Sequence, residues 1–590
     1  MHKRALACVL GIVASTLLLP STASAEPQPA TPGRRVTLIT GDVVTSAGGQ
    51  IGIQPAGRER PVAFERQTKN GDEYVIPADA GSLVASGKLD KELFNVTGLI
   101  RQRYDDAHTD SVPLLIEQAA QTQRRFGELN LASVNARKGS WREVTGSGRK
   151  IWLNAKLSAS LDVSVPQIGA PAAWQGGQTG QGVTVAVLDS GIDGTHPDLA
   201  GKVAVAKDFT GTGSTNDVFG HGTHVASTIA GTDAKFRGVA PGARLAVGKV
   251  LDDTGSGQTD DIIEGMRWAA TEAKAKVVNM SLGGGESDGT DPISQAVNEL
   301  SKAHGTLFVI AAGNANPRQK VSAPAAADAA LAVANLTKAG QVSPSSSRGP
   351  RVRDAAMKPE IAAPGTDITA ARAKDSPGEG GHVTRSGTSM AAPHVAGAAA
   401  ILAGQHPDWT GEAIKSALIA TASPVPAHPY EAGTGRVDIA RATTSPLQVS
   451  PSSVSANLKW PETKPRKHTV RYRNTGATPL TLGLAVDLRD ATGQAAPAAL
   501  VKLSAASLTI AAGKEASVTL TAAPRSGRPG QYGGVLTATS VDGQVTRTPV
   551  SIQDEAEAYD LTVSLLDRDG NAVPQGFVAA VHQSNADRLQ

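Results

Sequence analysis

The chain has 590 residues, 40% of them hydrophobic and 19% charged, with a formal net charge of +3. That length exceeds a single hydrophobic core and implies roughly three to four domains, while the composition excludes a disordered or fibrous chain. So small a net charge speaks against a nucleic-acid partner, which calls for a concentrated basic patch.

The N-terminus has the form of a secretory signal over residues 1–25. His2-Lys3-Arg4 is its basic region, Ala5 to Leu19 its apolar core and Ala23-Ser24-Ala25 its small-residue cleavage site. The apolar core is shorter than the roughly 20 residues that span a bilayer, and no later segment has that length. A secreted, extracellular protein with no membrane association after signal removal is therefore expected. The only cysteine, Cys8, lies inside this signal. Its removal excludes disulfides, a cysteine nucleophile and thiolate metal sites together.

Residues 26 to about 150 form a first unit. Val36 to Asp42 predicts a strand followed by a turn, and Glu117 to Leu129 has helical character. A polar, Gly- and Arg-rich stretch, Arg137 to Lys150, separates this unit from the next.

From 156 to 445 short apolar strands alternate with helical segments. Val183 to Leu188 is a continuous apolar run that ends at Asp189, and Leu245–Val250, Val277–Met280 and Thr306–Ile310 have the same form. Asp260 to Ala273 and Pro292 to Ala303 are helical patterns, the second stopped by Gly305. Apolar strands separated by helices imply an α/β fold, a parallel sheet covered on both faces. In such sheets ligands collect at the carboxyl ends of strands, where Asp189, Ser281 and Asn314 lie. After 446 the pattern turns to alternating strands such as Lys467–Tyr472 and Ala516–Leu520, which suggests a β-sandwich over 446–553. A further strand-rich unit, 554–590, looks incomplete.

Three segments carry the chemistry. In Gly387-Thr388-Ser389-Met390-Ala391-Ala392-Pro393-His394 a serine follows a tight turn and opens an Ala-rich helix. The free N–H groups of a helix N-terminus favour developing negative charge, so Ser389 has the setting of a nucleophile. Asp189-Ser190-Gly191 ends a buried strand and supplies an orienting carboxylate. His221-Gly222-Thr223-His224 begins a helix and supplies a base. The order Asp, His, Ser differs from the Ser, Asp, His of α/β-hydrolases and the His, Asp, Ser of chymotrypsin-like enzymes.

These three segments, in this order, closely resemble the subtilisin-like serine peptidases, the subtilase family, over residues of about 160 to 445. The resemblance implies a serine endopeptidase with Asp189, His221 and Ser389 as its catalytic triad. It further implies that Asn314, in Ala311-Ala312-Gly313-Asn314, is an oxyanion-hole donor. Gly255, Ser256 and Gly257 on one side, and Ser281, Leu282 and Gly283 on the other, resemble the segments that flank an extended polypeptide substrate. Ala311, Ala312 and Gly313 would wall the pocket for the side chain on the acyl side of the scissile bond. His224 and His394 read as packed helix residues, and Asp193 and Asp198 as turn and capping groups. The resemblance implies no catalytic cofactor and is compatible with structural calcium. Asp198 matches a family position that can bind calcium, yet the stretch from His221 to Gly238 leaves little room for the usual loop.

The layout also implies a self-processed zymogen. Residues 26–155 would be a small α+β propeptide that assists folding, inhibits the cleft and is cut away between 140 and 157. The 446–553 unit resembles the fibronectin III-like domains that follow subtilase catalytic domains. A monomer is expected. Two other readings use the same residues: a binding protein on an inactive peptidase scaffold, and an esterase.

Overall fold

The computed structural model describes residues 34–571 apart from 48–49, 59–60, 70–71, 118–123, 127–130, 142, 144–148, 155–160, 316–319, 560–563 and 567–568. The signal and most of the 554–590 unit therefore lie outside the described residues. Two compact units divide the chain, residues 1–156 and 157–590.

The first unit is α+β. Arg34–Thr37, Val43–Ala47 and Gln50–Gln54 form one antiparallel sheet, and Phe64–Lys69 pairs with Asp72–Pro77. A four-stranded sheet runs in the order Arg124–Phe126, Leu131–Arg137, Ser111–Glu117 and Ile151–Leu153. Helices Ala78–Ala85 and Val96–Arg101 complete the unit around a core that includes Val36, Val75, Phe94 and Leu114. The strand expected from Val36 is present but shifted, spanning Arg34–Thr37, and the chain turns over Leu38 to Gly41, whose N–H bonds the Leu38 carbonyl at 2.9 Å. Of the helix expected over Glu117 to Leu129, residues 118–123 and 127–129 lie outside the described residues, and the rest is strand. Glu117 ends a strand, and Arg124–Phe126 pairs antiparallel with Leu131–Ser133. Val112, Leu114 and Ile116 alternate into the core.

The second unit is built on a seven-stranded sheet. Its strands in chain order are β1 Thr184–Asp189, β2 Val203–Asp208, β3 Arg244–Lys249, β4 Val277–Met280, β5 Leu307–Ala311, β6 Leu331–Leu336 and β7 Ile361–Pro364. They lie in the order β2-β3-β1-β4-β5-β6-β7, and each neighbouring pair is parallel. The chain leaves β1 for one side, returns through β3, then crosses β1 to build the other side from β4. That reversal opens a crevice at the carboxyl ends of β1 and β4.

Five helices cover the sheet: α1 His221–Ala230, α2 Thr259–Thr271, α3 Pro292–His304, α4 Thr388–Gln405 and α5 Gly411–Thr421. The Asp291 carboxylate caps α3 at the Ser294 N–H (2.9 Å), and Gly305 ends it with φ +64°. α4 is the central helix. It is apolar on all sides, with Ala391, Ala392, Val395, Ala396, Ile401 and Leu402 fully buried, as a helix enclosed by other elements must be.

Residues 447–554 form two antiparallel-rich sheets of four and five strands facing one core around Tyr472, Leu484, Leu520 and Tyr532. Arg466–Asn474 and Glu515–Ala522, which contain the two expected strands, pair antiparallel in the first. This sandwich is fastened to the α/β layers. The Tyr430 hydroxyl donates to Ser551 Oγ at 2.7 Å, Ser551 donates to the Ala355 carbonyl, and the Met357 N–H donates to Ser455 Oγ at 3.1 Å.

Candidate active site

Asp189 is the last residue of β1 and is fully buried, so the sheet sets its position. Its Oδ1 accepts the His221 Nδ1–H at 2.7 Å and the Ser190 N–H at 2.8 Å. Its Oδ2 has no hydrogen-bond partner among the described residues.

His221 opens α1, and the residues before it explain why a helix starts there. The buried Asp217 carboxylate accepts the Gly220 and Thr223 N–H groups, each at 2.7 Å, and the Ser190 hydroxyl at 2.8 Å. A side-chain carboxylate thus satisfies the free donors of the first turn and complements its dipole. Gly222 has a steric reason. A Cβ there would lie 2.2 Å from the Gly191 carbonyl, so any larger residue would push α1 away from Asp189. Lys249, at the end of β3, is fully buried and fixes the same segment. Its ammonium donates to the carbonyls of Ser190 (2.7 Å) and Asn216 (3.2 Å) and to Asp253 Oδ1 (2.9 Å), which uses all three donors.

Ser389 is the second residue of α4. Pro393 lies four residues on and has no N–H, so the Ser389 carbonyl cannot accept the usual helical bond. It accepts the Ser281 hydroxyl instead, at 2.8 Å, while the Ser389 hydroxyl donates to the Ser281 carbonyl at 3.1 Å. Ser389 therefore points its proton at Ser281 here rather than at His221.

Asn314 follows β5 by three residues. Its Oδ1 accepts the Thr388 N–H (2.8 Å) and hydroxyl (3.1 Å), and Thr388 Oγ1 accepts the Gly313 N–H (3.3 Å). With the oxygen engaged, the amide nitrogen is left as the donor that faces other groups.

His221, Asn314 and Ser389 line one cavity of about 1250 Å³ together with Gly255, Ser256, Gly257, Ser281, Leu282, Gly283, Ala311 and Gly313. Ala312 does not. It is fully buried among Val321, Ala325 and Ala330 on the opposite face of the sheet from Ala311. Consecutive strand residues point to opposite faces, so both alanines cannot wall one pocket. Phe219, which sequence reasoning did not single out, also lines the cavity, its ring 6.4 Å from that of His221. Thr388, Asp217 and Lys249 were missed as well. Only Thr388 had a signal, its place beside Ser389.

The remaining polar residues are structural. Burial holds His224 down to about 3 and His394 to about 4, so both are neutral at ordinary pH. His224 Nε2–H donates to the Ile368 carbonyl (2.9 Å). His394 donates from Nδ1 to the Met390 carbonyl (2.8 Å) and accepts the Ser164 hydroxyl at Nε2 (2.9 Å). Asp193 accepts from Thr195 and from the Lys374 N–H. Asp198 accepts the Ser227 hydroxyl on one oxygen and the Asp233 N–H on the other, which does not suit a calcium ligand. Among the described residues no group of three or more His, Cys, Asp or Glu side chains is gathered as a metal site, and no helix is long and apolar enough to cross a membrane.

Comparison with known proteins agrees with this geometry. The subtilase family pattern matches residues 180–438. Subtilisin E of Bacillus subtilis (strain 168) is 32% identical over 352 residues, 58% of this chain and 88% of that protein. The chain belongs to the subtilase family. Other subtilase relatives include serine protease AprX of the same organism, 34% identical over 51% of this chain and 76% of its own length. A subtilisin of Bacillus pumilus is 37% identical over 45% of this chain and 92% of its own length. As a subtilase the chain is a serine endopeptidase, a hydrolase that acts on polypeptides.

Proposed function

We propose that this subtilase is a secreted endopeptidase, made as a self-processed zymogen, in which Asp189, His221 and Ser389 form the triad. The observation that carries the reading is the 2.7 Å bond between His221 Nδ1 and Asp189 Oδ1 beside a cleft shared by His221, Ser389 and Asn314. Asp189 holds the imidazole in the tautomer that leaves Nε2 free to accept a proton. The Ser389 hydroxyl turns from the Ser281 carbonyl toward Nε2 and its oxygen attacks the scissile carbonyl. His221 takes the proton and then returns it to the leaving amine, giving the acyl-enzyme that water hydrolyses by the same steps. The charge on the tetrahedral oxygen meets the Asn314 amide and the Ser389 N–H at the start of α4.

Gly255, Ser256 and Gly257 face Ser281, Leu282 and Gly283 across the cleft, and a substrate chain binds between them by main-chain hydrogen bonds. Residues 1–25 direct secretion, and residues 26–155 are the propeptide and intramolecular inhibitor, released by cleavage between 140 and 157. Catalysis uses no cofactor, with calcium at most structural, and the enzyme acts as a monomer. The 446–553 sandwich is fibronectin III-like. Ser389→Ala protein tests the reading. It is expected to lose peptidase activity and to stay unprocessed. A Ser389→Ala protein that matured by itself and cleaved casein at the wild-type rate would overturn it.

A further inference from the structure

Two arginines meet where the sandwich joins the α/β layers. Arg441 lies in the short helix Ile439–Ala442, and Arg547 in the sandwich strand Val545–Asp554. Their guanidiniums share the same two acceptors. Arg441 donates to the carbonyls of Ala422 (3.4 Å) and Val545 (2.6 Å), and Arg547 donates to the same pair at 3.3 and 3.5 Å. Two cations are thus held side by side, mostly by long bonds. A guanidinium carries five N–H donors, so most of theirs remain unspent among the described residues.

The pair lines a cavity of about 430 Å³, and every other residue around it is uncharged, Thr444, Ser445, Gln544 and Thr546 among them. The carboxylates nearest along the chain are engaged elsewhere. Asp438 accepts the Arg441 N–H (3.1 Å) and the Ser423 hydroxyl (2.7 Å), and Asp542 accepts the Ser540 hydroxyl. Burial and the neighbouring Arg441 charge both pull the Arg547 guanidinium below its ordinary range, and no acidic group offsets them. Capping of α5 accounts for only part of this arrangement. An arginine at a helix C-terminus satisfies its last carbonyls, and the Ala422 carbonyl just past α5 is such an acceptor. One guanidinium meets that need, since a helix end carries only about half a negative charge. More than one positive charge is left facing the cavity.

We infer that this cavity binds a doubly charged tetrahedral oxyanion, a phosphate group, that bridges Arg441 of the α/β layers and Arg547 of the sandwich. Planar guanidinium forks hold phosphate oxygens in pairs, and a dianion neutralises both cations at once. The cavity also has room for a small group esterified to the phosphate.

The test is calorimetric titration of full-length Ser389→Ala protein, free of self-digestion, with inorganic phosphate and separately with glycerol 3-phosphate. Ionic strength is held constant with sodium chloride, and the pH is kept above the second phosphate pKa of about 6. Saturable binding of one phosphate per chain is expected. Adding Arg441→Gln or Arg547→Gln should weaken it about tenfold or more, the effect of losing a charge-assisted contact. Each variant leaves one arginine to bond both shared carbonyls, so both should keep a cooperative thermal transition. Binding of inorganic phosphate alone would identify the free ion as the ligand. Equal or tighter binding of the ester would identify a phosphate carried on a larger molecule. Failure of both ligands to saturate the protein, or binding unchanged in both variants, would overturn the inference and leave the arginines as capping groups only.

Discussion

Ser281 and Ser389 are hydrogen-bonded in both directions: each hydroxyl donates to the other's carbonyl, at 2.8 Å from Ser281 and 3.1 Å from Ser389. The first bond exists because Pro393 leaves the Ser389 carbonyl without a helical donor. The loop after β4 is thereby tied to the start of α4, and the cleft wall and the nucleophile are held as one piece. Ser281 Oγ also accepts the buried Asn279 amide at 3.0 Å. Ser281→Ala would leave that amide and the Ser389 carbonyl unpaired. It should lower the unfolding free energy by about 1–3 kcal/mol. It should also lower kcat about tenfold or more through misplacement of Ser389. Steady-state kinetics gives the second quantity, and urea unfolding in a Ser389→Ala background, free of self-digestion, gives the first.

Asn314 and Thr388 predict a graded pair. Asn314→Ala removes a donor to the oxyanion and should cost about 10²–10³ in kcat with KM little changed. Thr388→Val keeps the donor but removes the hydroxyl that bonds Asn314 Oδ1 at 3.1 Å and Gly313 N–H at 3.3 Å. The amide then loses one of its two restraints, and kcat should fall about five- to tenfold. Equal losses in the two variants would show that Thr388 does more than orient Asn314.

Acid should unfold the protein through its buried histidines. In the folded state His224 and His394 are held to about 3 and about 4, whereas the unfolded value is 6.5 for each. Between 6.5 and those values the unfolded chain binds protons that the folded chain does not. Stability from these groups is therefore full above 6.5 and is lost as pH falls below it. Each histidine contributes at most about 1.4 kcal/mol per pH unit. Urea unfolding of Ser389→Ala protein at pH 7 and pH 4.5 should show the loss, and His394→Gln should make it shallower.

The sandwich should be indispensable to the α/β layers. A full-length gene stopped after Thr444 would strip Ser551 from the Tyr430 hydroxyl and uncover Met357 and Ala420, all three buried in the intact protein. Buried polar groups left unpaired and apolar surface opened to water both destabilise. The truncated protein is expected to aggregate or to lose its cooperative thermal transition, as scanning calorimetry would detect.

Much of this site was legible in the sequence because its elements are local. The β1 run ending at Asp189, the helix beginning at His221 and the Gly-Thr-Ser turn before α4 each stand within a residue of their expected bounds. What escaped depends on contacts distant in sequence. Asp217 caps α1 through loop geometry, Lys249 spends its charge on carbonyls some tens of residues away, and Tyr430 finds Ser551 across two layers. Ala312 was misassigned for a local reason, since neighbouring strand residues alternate faces and only Ala311 faces the cleft. The helical reading of Glu117 to Leu129 fails at Arg124–Phe126, where strand pairing, invisible to propensity, outweighs it.

The central claim is that Ser389, activated by His221 and Asp189, is the nucleophile. It is tested most directly by treating the mature protein with a fluorophosphonate and locating the adduct by peptide mass spectrometry. A single phosphonylated residue at Ser389, lost in Ser389→Ala and sharply slowed in His221→Ala, is the expected result. An adduct on another serine, or none on a protein that still cleaves peptides, would contradict it.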